Sequence, residues 1–426
     1  MEAIVERAAG LDVHQSRIVA CILIGRPGRR PTQQTRSFGT MTADLEELRA
    51  WLEENAVTHV GLESTGVYWC FLHEVLDGPF TVLVGNPNHI RNLPGRKTDV
   101  RDAEWIADLV RHGLLKPSFV PPPAIRELRA LVRFRRVLAG QLSTERNRVL
   151  KLLEGANVKL ASVVTDVFGV SGRTMLAALA EGRSTPAEMA DLAKRRLRRK
   201  LEPLTRALDG RLTATDRHLL GLHLRRLEEI DRDIAEIEAR IEQATAPYRA
   251  ERDLLVQIPG VDVLGAAAII AETGPDMPQF GSARRLAAWA GVCPANHESA
   301  GRQKRHGTRK GNVHLKTTLM TAAVAATNTK GSFWRDKYYR LKARLGAKRA
   351  AMAIAHKILV AVFAILSRKQ PFKELGPVVL EGPARVNAAK RLVRRLAALG
   401  YDVLLRNRPD PEAAATAHPQ GSVPTG

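Results

Sequence analysis

The sequence predicts an α/β domain at the amino end and mainly helical structure in the remainder. Three observations predict this architecture. Short apolar runs alternate with amphipathic stretches in the first 120 residues. Four prolines between Pro117 and Pro123 then interrupt that alternation. Long stretches with the apolar period of a helix follow them. The 426 residues of the chain suffice for two or three domains.

The amino-terminal elements are predicted in the order βββαβαβα, which is the order of an RNase H-like fold. Alternating or continuous apolar residues predict the strands, and the spacing of apolar residues by three and four predicts the helices. Strands are predicted at 11–13, 17–24, 33–40, 59–62 and 80–84, and helices at 42–52, 67–76 and 99–111. Thr42 is the predicted N-cap of the first helix.

Four carboxylates stand where these elements begin or end. Asp12 and Glu63 each close an apolar run, and Asp99 and Asp102 begin the last helix of the domain. In an α/β sheet the functional groups gather at the carboxyl ends of the strands, so the four acids are expected at one place. Such a cluster repels itself unless it holds cations. Mg²⁺ prefers oxygen ligands, and paired metals stabilise phosphoryl displacement.

The charge of the chain points to a polyanionic partner. Lys and Arg number 66 against 44 Asp and Glu, which gives a formal net charge of +22. Nucleic acid is the commonest partner of so basic a protein, although a GC-rich genome or a need for solubility also produces such a balance. The three dispersed cysteines predict neither a zinc site nor disulfides. The sequence predicts no signal peptide and no membrane span, and we therefore expect a cytoplasmic location.

The central region is predicted to be helical from 124 to 244. Ile230, Ile234, Ile237 and Ile241 form a short heptad seam, which fits a coiled coil or two-helix hairpin as well as an ordinary antiparallel helix pair. A basic run at 194–200, predicted on one helix, is either a phosphate-backbone contact or a solvated face. Its candidate nucleic-acid contacts are Arg195, Arg196, Arg198 and Arg199.

The carboxyl-terminal region carries a second chemical constellation. Its segment from Ile258 resembles a helix-hairpin-helix turn, with Asp262 where a second glycine is usual. Ser299 lies in a Ser-Ala-Gly turn, and the cations that follow it are Arg302, Lys304, Arg305, Arg309 and Lys310. A serine needs activation or charge stabilisation to act as a nucleophile. The chemistry alone fits a phosphate-binding loop with an incidental serine, or a nucleophile beside a held phosphate.

These patterns divide the chain into four predicted parts. They are an α/β catalytic domain at 1–120, a helical or coiled-coil region at 121–247, a domain with the serine at 248–375, and a basic helix (383–399) with a disordered tail at 376–426.

Taken together, the motifs resemble the IS110 family of insertion-sequence transposases. The segments Gly-Leu-Asp12-Val-His, Glu63-Ser-Thr-Gly-Val-Tyr and Lys97-Thr-Asp99-Val-Arg-Asp102-Ala resemble the DEDD, RuvC-like domain of that family. The Trp289-Ala-Gly-Val-Cys-Pro, Ser299-Ala-Gly and Lys310-Gly-Asn segments resemble its carboxyl-terminal transposase domain. The resemblance extends from about 8 to 370, with the motifs in the same order.

The resemblance implies a mechanism and partners that the residues alone do not give. It implies that Asp12, Glu63, Asp99 and Asp102 bind Mg²⁺, with Mn²⁺ able to replace it, and that Ser299 forms a phosphoserine link with DNA. It also implies donor and target DNA, contacts from Lys97 and the cations after Ser299, and a structured bridge RNA as guide. It further implies dimers or tetramers whose subunits share a site. It also implies that the protein is located in the bacterial cytoplasm, at the nucleoid.

Two rival interpretations keep part of this chemistry. A RuvC-like, structure-specific endonuclease that uses metal-activated water needs the four acids but not Ser299. A non-catalytic nucleic-acid-binding remnant needs neither, although the intact acids argue against decay.

Overall fold

The computed structural model describes residues 3–64, 66–91, 102–294, 298–299, 302–303, 307–308, 311–373 and 382–405. The chain forms two compact units. The first unit is Met1–Arg249 with Ala267–Gly281, and the second unit is Ala250–Ala266 with Ser282–Gly426. The predicted four-part division stays a prediction beside these two units, and most of the predicted disordered tail lies outside the described residues.

The first unit begins with a mixed five-stranded sheet and its helices, as the sequence predicts and as an RNase H-like domain requires. The strands are β1 (Arg7–Val13), β2 (Ile18–Ile24), β3 (Thr32–Phe38), β4 (His59–Glu63) and β5 (Thr81–Gly85). The sheet order is β3-β2-β1-β4-β5, in which β1, β4 and β5 are parallel and the first three strands are antiparallel. The helices are α1 (Thr42–Glu54), α2 (Tyr68–Leu76), α3 (Pro87–Arg91) and α4 (Asp102–Arg111).

The predicted N-cap of α1 was wrong by one residue. Met41 is the N-cap, and Thr42 is the first residue of the helix. The reason is the side chain of Asp44, because its Oδ2 accepts a hydrogen bond from the backbone N–H of Met41 at 3.0 Å. That bond satisfies an amide that the helix itself leaves unpaired.

The two faces of the sheet pack against different helices, because successive side chains of a strand point to opposite faces. Ala9 and Leu11 of β1 join a core with the apolar sides of α1 and α2. Ala8, on the opposite face, joins a core with Ile106 and Leu109 of α4. Helix α4 therefore lies on the face to which the even-numbered residues of β1 point.

Gly10 sets the close approach of α4 to β1. A Cβ at this position would lie 2.1 Å from the carbonyl oxygen of Ala103 and 2.2 Å from the backbone nitrogen of Ala107. Both contacts are backbone atoms of α4, so no side chain can move aside. The absence of a side chain at Gly10 thus places the first turn of α4, with Asp102, beside the end of β1.

We expect Gly10→Ala to destabilise the first unit by about 1–3 kcal/mol, because overpacking must displace α4. Urea denaturation followed by circular dichroism measures this effect. The matched control is Gly140→Ala within the long helix α5 (Pro123–Gly155), where a new Cβ would meet nothing within 4 Å beyond its chain neighbours and the backbone of its own helix. That control should be neutral or stabilising, since alanine favours a helix by about 0.5–1 kcal/mol over glycine. Equal stability of Gly10→Ala and wild type would contradict the packing argument.

The rest of the first unit is helical, and its two longest helices form an antiparallel pair within the chain. Arg135 and Glu145 of α5 pair with Glu238 and His223 of α10 (Ala214–Thr245) respectively, so the two helices run in opposite directions. The antiparallel intrachain pair, one of the structures that the heptad seam allows, is therefore present. The helices of this region are α5 (Pro123–Gly155), α6 (Leu160–Val163), α7 (Val170–Glu181), α8 (Pro186–Asp191), α9 (Leu201–Leu208) and α10 (Ala214–Thr245).

A buried carboxylate fastens this helix pair. Glu145 is almost fully buried, and it accepts hydrogen bonds from His223 Nδ1 at 2.6 Å and from Arg148 NH1 at 2.8 Å. Burial alone raises the pKa of Glu145, but the two hydrogen-bonding partners outweigh it and hold the pKa below its ordinary value. The carboxylate therefore stays charged and paired inside the helix pair.

Two arginines of α5 bind the segment 267–281 to the rest of the first unit. Arg133 donates two hydrogen bonds of 2.8 Å to the carboxylate of Glu272, whose side chain is 1% exposed. Arg129 donates to the carbonyl oxygens of Ala271 and Glu272 at 2.9 and 2.8 Å. These carbonyls lie in the last turn of a helix, where they lack partners within the helix.

In its described residues, the second unit is helical apart from one short hairpin. Its helices are α11 (Arg249–Val256), α12 (Val263–Thr273), which continues into the first unit, α13 (Ala283–Ala290), α14 (Val313–Asn328), α15 (Phe333–Leu345), α16 (Ala347–Arg368) and α17 (Gly382–Ala397). Helix α17 confirms the predicted basic helix near the carboxyl end. The hairpin strands are β6 (Glu298–Ser299) and β7 (Arg302–Gln303).

Helix α16 corrects the expectation that no segment is long and apolar enough to span a membrane. An 18-residue stretch of this 22-residue helix reaches a mean hydropathy of 2.1. Half of this stretch is nevertheless buried inside the structure, with Ile354, Ile358 and Leu359 completely enclosed. A core helix of a folded unit meets the same test of length and composition.

Candidate active site and nucleic-acid interface

Asp12 and Glu63 lie side by side at the carboxyl edge of the sheet. Strands β1 and β4 are parallel, with Leu11 opposite Leu62, and each acid is the next residue. Gly10 and Gly61 both point toward α4, so the acids two positions further on point to the same face. Both side chains are partly exposed. The structure thus brings together two of the four predicted acids at one edge and on one face.

Asp102 begins α4, the helix that packs on that same face. Its neighbour Ala103 is the residue that approaches Gly10. The remaining acid, Asp99, and the predicted contact Lys97 lie outside the described residues. Within the described ranges, no group of three or more His, Cys, Asp or Glu residues is placed to hold a metal ion. The carboxylate oxygens of these acids are the ligands that a hard divalent cation prefers. Asp12 and Glu63 also lie at one edge of the sheet, where both could reach the same cation.

His14 is a further functional candidate, which was not among the residues predicted for the site. Its Nε2 lies 3.0 Å from Oδ2 of Asp12, and both side chains are accessible to solvent. A hydrogen bond of this kind fixes the orientation of a carboxylate that must hold a ligand. The Asp-x-His spacing was the available signal, because side chains two residues apart along an extended chain lie on the same side.

Ser299 lies on the short hairpin of the second unit. Its backbone pairs with that of Arg302, and Glu298 pairs with Gln303. The backbone pairing brings one predicted cation, Arg302, opposite the serine. The other cations predicted beside it lie outside the described residues, and they are Lys304, Arg305, Arg309 and Lys310.

The loop that carries Ser299 is closed at its base. Asn312 donates its backbone N–H to the carbonyl oxygen of Trp289 at 3.2 Å, and its Oδ1 caps α14 by accepting from the N–H of Leu315. A Cβ at Gly311 would lie 2.4 Å from the backbone nitrogen of Gly291. Trp289 and Gly291 of the first motif therefore meet Gly311 and Asn312 of the second at the base of the loop.

The segment that begins at Ile258 (Ile-Pro-Gly-Val) forms a tight turn between α11 and α12, as a helix-hairpin-helix requires. Gly260 has a φ of 89°, and a Cβ there would lie 2.2 Å from the carbonyl oxygen of Ala322. Asp262 accepts a hydrogen bond from the N–H of Gly265 at 2.7 Å. The aspartate therefore caps the start of α12, the position that a phosphate would take in such a turn.

The basic run at 194–200 lines a cavity of about 650 Å³ in the first unit. The run was predicted on one helix, but it forms a 3-10 helix (Arg195–Lys200), which Arg195 enters at a φ of 53°. The opposite wall is the start of α7, whose first amides have no side-chain cap. An uncapped helix start and a group of cations both attract anions. Asp166, whose Oδ1 accepts from the N–H of Phe168, is the acid in this lining.

The cations of this run differ in their partners. Arg198 donates to the carboxylate of Asp191 at 2.8 Å and to its carbonyl oxygen, and Lys200 donates to the carbonyl oxygen of Val163. Arg195 and Arg196 line the cavity without a hydrogen bond or ion pair to the part of the chain that is described. These two guanidinium groups of the cavity lining are therefore available to a ligand.

Comparisons with protein families match both regions. A family model for the DEDD transposase domain of IS110 elements, described as a transposase, matches residues 9–158. A second, described as "Transposase IS116/IS110/IS902 family", matches residues 252–340. The chain belongs to the IS110 family of transposases. The first match contains all four predicted acids, and the second contains Ser299.

Similar proteins include two transposases and a further protein of an insertion element. The "Transposase for insertion sequence element IS1111A" of Coxiella burnetii is 30% identical over 166 residues, which cover 38% of this IS110-family chain and 45% of the relative. The "Probable family 20 transposase" of Pseudomonas aeruginosa is 25% identical over 319 residues, or 74% and 85% of the two chains. The "Insertion element IS110 uncharacterized 43.6 kDa protein" of Streptomyces coelicolor is 28% identical over 295 residues, or 64% and 71% of the two chains.

Proposed function

We propose that this IS110-family chain excises and inserts its own element by metal-dependent cleavage and exchange of DNA strands through a phosphoserine intermediate. The observation that carries the proposal is the placement of Asp12 and Glu63 on one face at one edge of the sheet, beside the start of α4. The DEDD transposase domain that matches this region suggests the use of a divalent metal.

The acids and the serine have separate tasks in the proposed reaction. Asp12, Glu63, Asp99 and Asp102 would hold the metal, which when bound stabilises negative charge on phosphate oxygens. His14 orients the Asp12 carboxylate. The Ser299 oxygen bonds to phosphorus, the bond from phosphorus to a deoxyribose oxygen breaks, and that oxygen gains a proton as the serine loses its own. A strand hydroxyl later reverses the step, so the new phosphodiester forms without another energy source.

The partners are part of the same proposal. DNA is the expected substrate of a transposase, and the net charge of +22 suits several nucleic-acid strands at once. We propose that a structured RNA of the element guides the choice of donor and target DNA, and that copies of the chain assemble as a dimer or tetramer. Sequencing of RNA that copurifies with the tagged protein tests the guide, and light scattering tests the assembly.

An excision assay separates strand exchange from the rival nuclease. A plasmid that carries the element is incubated with the chain in Mg²⁺ or in EDTA, and the products are sequenced. A recombinase yields a rejoined donor and a joined element, only when the metal is present. A structure-specific endonuclease that uses water yields cut ends without rejoining, and that product pattern would overturn the proposed exchange while leaving the metal site intact.

We expect the paired substitution Arg195→Gln and Arg196→Gln to weaken the salt dependence of nucleic-acid binding. Each phosphate that a cation neutralises contributes about 0.9 to the log–log slope on duplex DNA, so two cations should lower it by about 1.8. Fluorescence anisotropy at a series of salt concentrations measures the slope. Arg198→Gln is the matched control, because the Asp191 carboxylate already engages this guanidinium. An unchanged slope in the paired variant would show that the arginines of the cavity make no contact with phosphate groups.

A further inference from the structure

A second cavity lies at the same edge of the sheet as Asp12. Its volume is about 280 Å³, and it is formed where β1 ends and α2 begins. Its lining includes Val13, His14 and Gln15 from the turn after β1, and Val67, Tyr68 and Phe71 from the start of α2. Val13 points to the face opposite α4, so the cavity opens on the other side of the strand end from the acids.

Exposed aromatic side chains distinguish this cavity. Tyr68 is 44% exposed and Phe71 is 51% exposed, although the same helix buries Leu72 and Leu76. Together with Val67, which is 74% exposed, they form an apolar surface beside the catalytic edge. Large apolar groups that remain exposed in a group indicate a binding surface.

The chemistry of the lining favours a nucleobase over a phosphate. The described residues that line the cavity include no lysine or arginine, unlike the basic cavity at 194–200. Aromatic rings stack on the bases of single strands without regard to sequence. The volume lies just below the range of about 300–1,000 Å³ found for drug-sized ligands, which suits one base. The side chain of Gln15 and the hydroxyl of Tyr68 add polar groups for its edge.

His14 links the cavity to the reaction site. It lines the cavity, and its Nε2 contacts Oδ2 of Asp12 at 3.0 Å. One histidine side chain therefore touches both the cavity and the acid at which the proposed function places the cleaved strand. Enzymes that act on nucleic acid commonly take a base out of its stack to reach the reacting atom.

We infer that the cavity between the end of β1 and α2 receives one unstacked base next to the cleaved phosphodiester, held by stacking on Tyr68 and Phe71. The inference rests on the proposed function, since it requires a DNA strand at Asp12. The two aromatic residues are positioning residues, because they fix the strand while the acids act on the phosphate.

The test is a binding experiment in EDTA, so that no cleavage occurs. The full chain binds fluorescein-labelled single-stranded DNA of the element end, and an abasic residue is moved stepwise past the cleaved bond. We expect one position at which the abasic residue weakens wild-type binding by about tenfold, the loss of one base stack. The variant with Tyr68→Ala and Phe71→Ala should bind the intact strand about tenfold more weakly and show no further loss at that position.

Matched variants separate stacking from other effects. Tyr68→Phe with Phe71→Tyr keeps both rings and should retain the abasic effect. Phe134→Ala removes an equally exposed phenylalanine, 50% exposed, that does not line the cavity, and it should behave like wild type. An abasic effect that persists in the double alanine variant would overturn the inference. A changed oligomeric state of that variant, with unchanged DNA binding, would assign the surface to a protein contact and overturn it too.

The proposed function is tested separately in this design. Asp12→Asn should keep the abasic effect on binding while it loses cleavage. If Asp12→Asn cleaves normally, the metal-site proposal fails, and the binding profiles still decide whether the aromatic cavity holds a base.

Discussion

Replacing any of the four acids by its amide, in Asp12→Asn, Glu63→Gln, Asp99→Asn or Asp102→Asn, is expected to lower excision about a thousandfold or more. An amide keeps the shape of the side chain but loses the charge that holds a divalent cation. A bound metal contributes several kcal/mol of transition-state stabilisation, and about 1.36 kcal/mol corresponds to each factor of ten. Quantitative PCR of the rejoined donor, in Mg²⁺ and in EDTA, measures the loss.

Two controls show whether the acids act in the reaction or in folding. Asp108→Asn changes the charge on the same helix as Asp102, but Asp108 pairs with His112 at 3.2 Å near the other end of the helix. It should excise normally. DNA affinity and the unfolding midpoint should stay close to wild type in all four acid variants. Near-normal excision by Asp102→Asn and Asp99→Asn would reduce the site to the two acids on the sheet.

Ser299→Ala is expected to abolish both recombination and any protein–DNA adduct. The proposed intermediate needs the hydroxyl oxygen itself, and loss of a nucleophile in other enzymes lowers the rate by on the order of 10⁴–10⁶-fold. A substrate with a nick near the cleavage point traps the adduct, which denaturing gel electrophoresis separates and mass spectrometry maps to a peptide. A linkage at Ser299 in the wild-type chain is the expected result.

Thr321→Ala is the control for Ser299→Ala. It removes an exposed hydroxyl group of α14 that donates a hydrogen bond to the carbonyl oxygen of Thr317, and it should leave the adduct unchanged. Ser299→Cys should retain a trace of activity, since a thiolate is nucleophilic but is a different leaving group in the reversal. Robust cleavage by Ser299→Ala, or a linkage to another residue, would favour the endonuclease that uses water.

The parts of the fold that depend on local pattern could be predicted from the sequence. Alternating apolar residues located the five strands to within a few residues, because burial of one or both faces leaves a direct trace in composition. Asp12 and Glu63 could be placed at one edge for the same reason, since each directly follows a buried run. The motifs around Ser299 signalled the family but gave no reason for their glycines.

The remaining features depend on contacts between residues far apart in the chain. Gly10 has no distinguishing feature in the sequence, and its role depends on Ala103 and Ala107, which pack against it. Likewise, nothing near Arg133 predicts that its partner is Glu272. The exposure of Phe71 was equally hidden, because an amphipathic helix with one additional aromatic residue has the same apolar period as one without it.

The bond between Arg133 and Glu272 limits how such a gene can exchange parts with its relatives. A crossover near residue 250 looks harmless, because it falls after the long helix α10. It would nevertheless combine two arginines from one parent with a carboxylate from the other, and a mismatch there leaves buried charge without its counterpart. Residues 123–281 are therefore expected to be inherited as one block, and viable hybrids should have their junctions outside it.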